Sequence, residues 1–390
     1  MSLNHAQTEA VAHNKGPCMV LAGPGSGKTL TIAKRIEYLI MKHKVRPEEI
    51  LVITFTKYAA WEMKNRTRSI CGPSSYAVTF GTFHGIYYGI LKWAYRLNQS
   101  NLLSDEEKYR ILREILPGID WDQEPEADEE KDYLQELAIE IGNVKNNCMD
   151  IEEYEPVKYT TEKFRKLYRT YEETKKKYRK IDFEDMLIQC RDLFMKRPDI
   201  LKKWQEKFQY ILVDEFQDVN QAQYDVVRML AAPQDNLFVV GDDDQSVYGF
   251  RGAKPGIMME FMKDYPKARQ ILLDVNYRSS GYIVKGALRV IGNNKIRFEK
   301  KIEAFRKPDE TVHVQEVKDP VQEAEYVLER IREYREKGVS YTEMAVLYRT
   351  NVDARAMSEL MTEYQIPFVM KEHLNNIYEH FIALDMISYL

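Results

Sequence analysis

Six short, largely apolar runs punctuate the first 275 residues, near 18–22, 50–54, 77–81, 209–213, 236–240 and 270–274. Strands buried on both faces read in this way. Between most of them apolar residues recur at helical spacing, as at Ile32, Ile36, Leu39 and Ile40, with Lys34, Arg35 and Glu37 set between them. The alternation predicts an α/β fold: a mainly parallel sheet with helices on both sides. From about 96 to 180 the pattern changes to long charged helical stretches such as "EEKYRILREIL" and "FRKLYRTYEETKKKYRK", a helical insertion carried on a loop of the sheet domain. A second set begins after 275. There "TVHVQEV", "EMAVLYRT" and "IPFVM" predict strands, and "QEAEYVLERIREYREK" and "DARAMSELMTEY" predict helices. The closing "IYEHFIALDMISYL" places Phe381, Ile382, Leu384, Ile387 and Leu390 on one helix-like face, with no capping residue after it.

Composition narrows the class without deciding it. A chain of 390 residues, 44% hydrophobic and 30% charged, fits a soluble protein of two or three domains. No apolar run approaches the roughly 18 residues of a membrane span, and the N-terminus lacks a signal-peptide layout, so no membrane role and a cytoplasmic location are expected. Cys18, Cys71, Cys148 and Cys190 are scattered, without C-x-x-C pairs or histidines at zinc spacing, and are expected as reduced thiols. The net charge of −4 hides an uneven distribution. From Asp120 to Glu136 nine acids face one lysine, and from Lys163 to Lys180 nine basic residues face two acids. The basic run could meet a polyanion locally; it reads equally as a solvated helix face.

The chemistry lies at the predicted strand ends. In "MVLAGPGSGKT" a buried strand breaks into small residues (Ala22, Gly23, Pro24, Gly25, Ser26, Gly27), then Lys28 and Thr29 open a helix. Backbone N–H groups of such a loop curl around phosphate oxygens, and the helix N-terminus adds positive potential. Lys28 would reach the β- and γ-phosphates and the Thr29 hydroxyl a Mg²⁺ ion. Ala22 stands where G-x-x-x-x-G-K-[ST] usually begins with glycine, which an ordinary strand-end conformation tolerates. In "YILVDEFQDVN" a second buried strand delivers Asp214 and Glu215, the first suited to hold Mg²⁺ with Thr29, the second to accept a proton from attacking water. A third strand ends in "VVGDDDQSVYGFRGA", placing Gln245 to sense a γ-phosphate and Tyr248, Phe250 and Arg251 on the loop that follows.

Taken in order, "GPGSGKT", "ITFTKYAAWEMK", "GTFHG", "DFEDML", "VDEFQDVN", "GDDDQSVYGFRGA" and "LLDVNYRSS" resemble the superfamily 1 DNA helicases of the UvrD/Rep/PcrA group, from "LNHAQTEAV" almost to the C-terminus. The resemblance implies two RecA-like lobes that clamp ATP·Mg²⁺, divided as 1–95 (first part of lobe 1A), 96–180 (helical insertion 1B), 181–275 (remainder of 1A) and 276–390 (first part of lobe 2A). It implies 3′–5′ translocation on single-stranded DNA and unwinding at single-strand/duplex junctions, in DNA repair or replication. Gln7 would read the adenine edge, Tyr277 would stack on the base, and Arg278 would act as an arginine finger, worth roughly 10³–10⁵ in rate. Phe55, Thr82, Phe83, His84, Tyr248, Phe250 and Arg251, with Arg349 and Asn351 of "YRTN", would form the DNA track. Each stacked base contributes about 1–3 kcal/mol there with little sequence preference. Phe83 reads equally as a core residue.

Departures from the family pattern are local. Lys57-Tyr58 replaces the usual Asn-Lys, and Phe250 replaces a frequent tryptophan while keeping a stacking face. Leu30 stands where relatives often carry an arginine, leaving base selectivity to Gln7 and Tyr277. The later helicase motifs, among them one resembling "GLEF", are not found before Leu390, so the expectation is a fragment or shortened protein with little activity alone. A nucleotide-gated DNA-binding module and an ATPase subunit of a repair nuclease complex remain as alternatives.

Overall fold

The computed structural model describes residues 3–119, 130–246, 254, 256–295, 297–307, 311–350, 352–370 and 381–389. In chain order the first elements are α1 (His5–Ala12), β1 (Cys18–Ala22), α2 (Lys28–Met41), β2 (Ile50–Thr54), α3 (Lys57–Cys71), β3 (Thr79–Thr82) and α4 (Phe83–Tyr95). The helical insertion follows with α5 (Asp105–Ile115), α6 (Glu130–Asn146) and α7 (Thr161–Tyr178). The chain then returns through α8 (Phe183–Lys196), α9 (Pro198–Lys207), β4 (Tyr210–Val213), α10 (Gln221–Ala231), β5 (Leu237–Gly241), α11 (Gly256–Asp264) and β6 (Arg269–Leu273). The six expected strands are all present and form one sheet in the order β3-β2-β4-β5-β1-β6, with every neighbouring pair parallel.

Strands β1, β2, β4 and β5 are buried along their whole length. Their alternate residues feed two cores, because successive side chains point to opposite faces. Met19, Leu21, Leu51 and Ile53 pack with Tyr87 of α4, Leu187 of α8 and Val227 of α10. Cys18, Val20, Val52, Leu212 and Val240 pack with Ile32 and Ile36 of α2 and Met63 of α3. The insertion has a core of its own from Ile111, Leu112, Leu137, Ile141, Phe164, Leu167 and Tyr171. All four cysteines are free thiols.

After β6 the chain forms a parallel βαβ unit: β7 (Val275–Ser280), α12 (Gly281–Ile291) and β8 (Glu303–Arg306). This unit belongs with everything before it to one compact body, Met1–Thr311. A second body, Val312–Leu390, contains α13 (Pro320–Glu336), α14 (Ala354–Glu363) and α15 (Phe381–Tyr389). In it Ala324, Leu328 and Ile331 of α13 pack against Met357 and Met361 of α14.

Two expectations need correction. "TVHVQEV", "EMAVLYRT" and "IPFVM" form no strands, and Val314, Leu347 and Val369 are more than nine-tenths exposed. Alternation stabilises a strand only when a neighbour pairs with its backbone. Arg35, set between the apolar positions of α2, is itself buried: it caps α1 by donating to the carbonyl of His13 and lies 4.3 Å over the Phe238 ring. Burial pushes its guanidinium down to about 10. The basic run is not a free stripe either, since Lys175 is buried and Arg165, Lys166, Arg169 and Lys180 each bond within the insertion.

Candidate nucleotide and nucleic-acid site

Because the strands are parallel, every chemistry-bearing strand end opens on the same edge of the sheet, where ligands of open α/β folds bind. The glycine loop follows β1, with Ala22 buried at the strand end. Gly25 and Gly27 both have positive φ, 68° and 87°. Neither tolerates a side chain: a Cβ on Gly25 would lie 2.6 Å from the Arg278 Cβ, and one on Gly27 2.7 Å from the Gln7 amide nitrogen. Ser26 Oγ donates to the Gly23 carbonyl at 2.7 Å, tightening the loop. The first-turn N–H groups of α2, from Lys28 onward, have no intrahelical acceptor and face this concavity. The loop thus has the form of a phosphate cradle.

Lys28 Nζ donates to Glu215 Oε2 at 2.8 Å, joining the ends of β1 and β4 across β5. Glu215 holds a left-handed backbone, φ 52°, which a non-glycine residue adopts at a cost of about 1–3 kcal/mol and which recurs at functional sites. Asp214 beside it is buried, and burial, reinforced by the neighbouring Glu215 carboxylate, pushes its acid up to about 7. Asp218 is raised to about 6 for the same reasons. Asp214 and Thr29 offer a carboxylate and a hydroxyl oxygen, the hard donors that Mg²⁺ takes, so this donor set fits that cation. Gln245 lies at the end of β5, with its amide donating to Asp242 Oδ2 at 2.7 Å.

The other residues expected at the nucleotide surround the loop. Gln7 is buried, and its amide bonds at both ends: Nε2 donates to the Ser26 carbonyl at 2.9 Å and Oε1 accepts from Asn4 N–H at 3.0 Å. Tyr277 N–H donates to the Gly25 carbonyl at 2.9 Å, and its hydroxyl accepts from Asn4 Nδ2. Arg278 is exposed, with its backbone held by Asn276 Oδ1 at 2.9 Å. Sequence reasoning missed Asn4, Gln217, Asn276 and Phe305. Gln217 lay unremarked inside "VDEFQDVN", and the Phe305 ring, 5.1 Å from that of Tyr277, carries no local signal.

Among the expected DNA residues, Phe55 is half-buried at the end of β2, and Thr82 ends β3 and caps α4, accepting from Gly85 N–H. Phe83 is corrected to a core position: it is 2% exposed and packs edge-on against Tyr87. The first helical turn rotates it inward. His84 packs on the Phe183 ring, and burial lowers its imidazole below the ordinary value. Arg349 is exposed in the second body. Tyr248, Phe250, Arg251 and Asn351 lie outside the described residues.

This arrangement can be compared with known proteins. Residues 3–266 match the UvrD/REP helicase N-terminal domain, and residues 271–390 match the UvrD-like helicase C-terminal domain. The chain belongs to the UvrD/REP helicase family. YjcD of Bacillus subtilis (strain 168) is 38% identical over 401 aligned positions, which take in 100% of this chain and 51% of YjcD. The ATP-dependent DNA helicase PcrA of Staphylococcus aureus (strain NCTC 8325 / PS 47) is 35% identical across 100% of this chain and 53% of the relative. PcrA of Staphylococcus epidermidis is 34% identical over the same span. The chain thus spans about half the length of the curated relatives it matches. Among the described residues no helix is long and apolar enough to cross a membrane.

Proposed function

We propose that this chain carries the ATP-hydrolysing half-site and part of the DNA track of a helicase that moves 3′–5′ on single-stranded DNA and opens duplex at junctions. The observation that carries the reading is the meeting of Lys28, Glu215, Asp214 and Gln245 on one sheet edge, which Phe55 and Thr82 share. Bound Mg²⁺ would neutralise charge on the phosphates. The chain's own residues do the rest: the loop from Gly23 to Gly27 binds phosphate through N–H groups, Lys28 exchanges Glu215 for a phosphate oxygen, and Thr29 and Asp214 hold the cation. Glu215, released from Lys28, takes a proton from water. Gln245 senses the γ-phosphate and Arg278 supplies a second positive group from β7, while Tyr277 supports the base and Gln7 fixes the loop beneath it.

The test is phosphate release by this chain with and without an oligonucleotide, alongside fluorescent-nucleotide titration of the chain and of Lys28→Ala. DNA-stimulated release that disappears with Lys28→Ala is expected; nucleotide binding indifferent to Lys28 removes the reading.

A further inference from the structure

Beyond the residues assigned above, the densest charge cluster at this edge joins the end of β5 to the stretch before β8. The Lys300 side chain is fully buried, with Nζ 2.5 Å from Asp242 Oδ1, 2.6 Å from Asp243 Oδ1 and 2.7 Å from Asp244 Oδ2. Arg297 forks onto Asp244, Nε to Oδ1 at 2.8 Å and an η-nitrogen to Oδ2 at 2.6 Å. Phe298 N–H donates to Asp243 Oδ2 at 2.8 Å. Burial opposes the Lys300 charge, but hydrogen bonds to the three carboxylates outweigh it and raise the ammonium above its ordinary value.

Asp242 also reaches the other way. Its N–H donates to Gln217 Oε1 at 3.0 Å and Gln217 Nε2 donates to Glu215 Oε2 at 2.9 Å, the oxygen that takes Lys28. An unbroken polar chain therefore runs Lys28–Glu215–Gln217–Asp242–Lys300. Gln245 branches from it at Asp242. The βαβ unit touches the glycine loop a second and third time, through Tyr277 N–H on the Gly25 carbonyl and through Ile302, whose Cδ1 lies 2.6 Å from where a Cβ on Gly23 would be.

We propose that Lys300 is a positioning residue: by binding Asp242, Asp243 and Asp244 together it fastens the β7–α12–β8 unit over the phosphate loop and so sets where Tyr277 and Arg278 stand. A buried ion cluster is weak evidence for stability, because desolvation offsets much of its Coulombic gain, and is better explained by the geometry it enforces. The consequence for nucleotide binding rests on the reading above; the fastening does not.

Hydrogen exchange on the nucleotide-free chain reads the fastening directly. In Lys300→Met, and less strongly in Arg297→Gln at the more exposed end, amides of 275–306 should exchange roughly tenfold faster while those of β1, β2 and β4 keep wild-type rates. Titration with a non-hydrolysable ATP analogue and with ADP reads the consequence: about tenfold weaker binding of the triphosphate and less than about twofold for ADP, since Arg278 would address the γ-phosphate. Should Lys300→Met lose protection across the sheet, Arg297→Gln decides. Wild-type exchange at 275–306 in Arg297→Gln, or equal losses for ATP and ADP, overturns the proposal. A wild-type chain that binds no nucleotide removes the proposed function instead and leaves the exchange result to stand alone.

Discussion

Glu215 occupies a strained backbone and holds Lys28, so one carboxylate has two roles that substitution can separate. Lys28→Ala removes the phosphate clamp and weakens nucleotide binding. Glu215→Gln keeps a hydrogen-bond acceptor for Lys28 but no base, so affinity persists while turnover falls by about 10²–10⁴-fold, the usual worth of a positioned base. Single-turnover phosphate release on both variants checks this, and turnover surviving in Glu215→Gln would remove it as the base. The Lys28–Glu215 pair is largely buried, with side chains 14% and 35% exposed, so Lys28 gives it up only to a group, such as a phosphate oxygen, that pairs with it in turn. His84 gives a pH signature. Its folded pKa is lowered by burial, so the unfolded chain binds the proton more readily, and its contribution is full above the ordinary 6.5 and is lost as pH falls below it. His13 acts in the same sense, and Asp214, raised to about 7, in the opposite one. The readout is therefore a difference: the loss of melting temperature from pH 7.5 to about 5.5 should be smaller in His84→Leu than in wild type. Equal losses would place a solvated imidazole there.

Elements were legible where a local pattern coincided with a tertiary partner. Strands β1, β2, β4 and β5 were readable because burial on both faces leaves an unbroken apolar run, and the phosphate loop because its chemistry lies within one strand-turn-helix. Phe83 and Arg35 were not readable, since a sequence does not say which way a first helical turn rotates or which cation a core will enclose. Helix α7 shows the same limit. Its basic run looked outward in sequence, yet Lys175 turns in to meet Asp182 at 2.8 Å and Asp185 at 2.5 Å. Lys145 of α6 binds the same two acids at 2.7 and 2.8 Å, and Tyr171 donates to Asp182. Burial resists ionisation of Asp182, but the Lys145 and Lys175 ammonium groups hold it well below the carboxylate range. The cluster ties the insertion to the start of α8, which caps on Asp182 itself. Lys145→Met should therefore cost about 3–5 kcal/mol in urea unfolding, because it leaves Lys175 alone to balance the buried carboxylates of Asp182 and Asp185 and the nearby Glu172. A loss under about 1 kcal/mol would mean that water already reaches them.

At the scale of the whole molecule, parallel topology does the assembling: residues from positions 28, 82, 214 and 245 reach one edge because each lies at or shortly after the C-terminal end of a strand in a single sheet. Among the described residues, that organisation lies in the body of residues 1–311. In the body of residues 312–390, the helices α13 and α14 share a small core while the alternating segments beside them leave Val312, Val314, Leu347 and Val369 exposed. Backbone without a ladder opens at little cost, whereas β1, β2, β4 and β5 open only with the sheet. Limited proteolysis should consequently cut first within 312–318 and 344–348 and leave a resistant product that retains residues 18–273. Added Mg²⁺ and nucleotide should slow the later cuts within 275–306, where the Tyr277 N–H donates to the Gly25 carbonyl of the phosphate loop. Mass spectrometry of the time course identifies the sites. Segments 312–318 and 344–348 that resist protease as long as β1 does would show them paired as strands in solution, as their alternation had suggested, and would overturn the two-body hierarchy of stability.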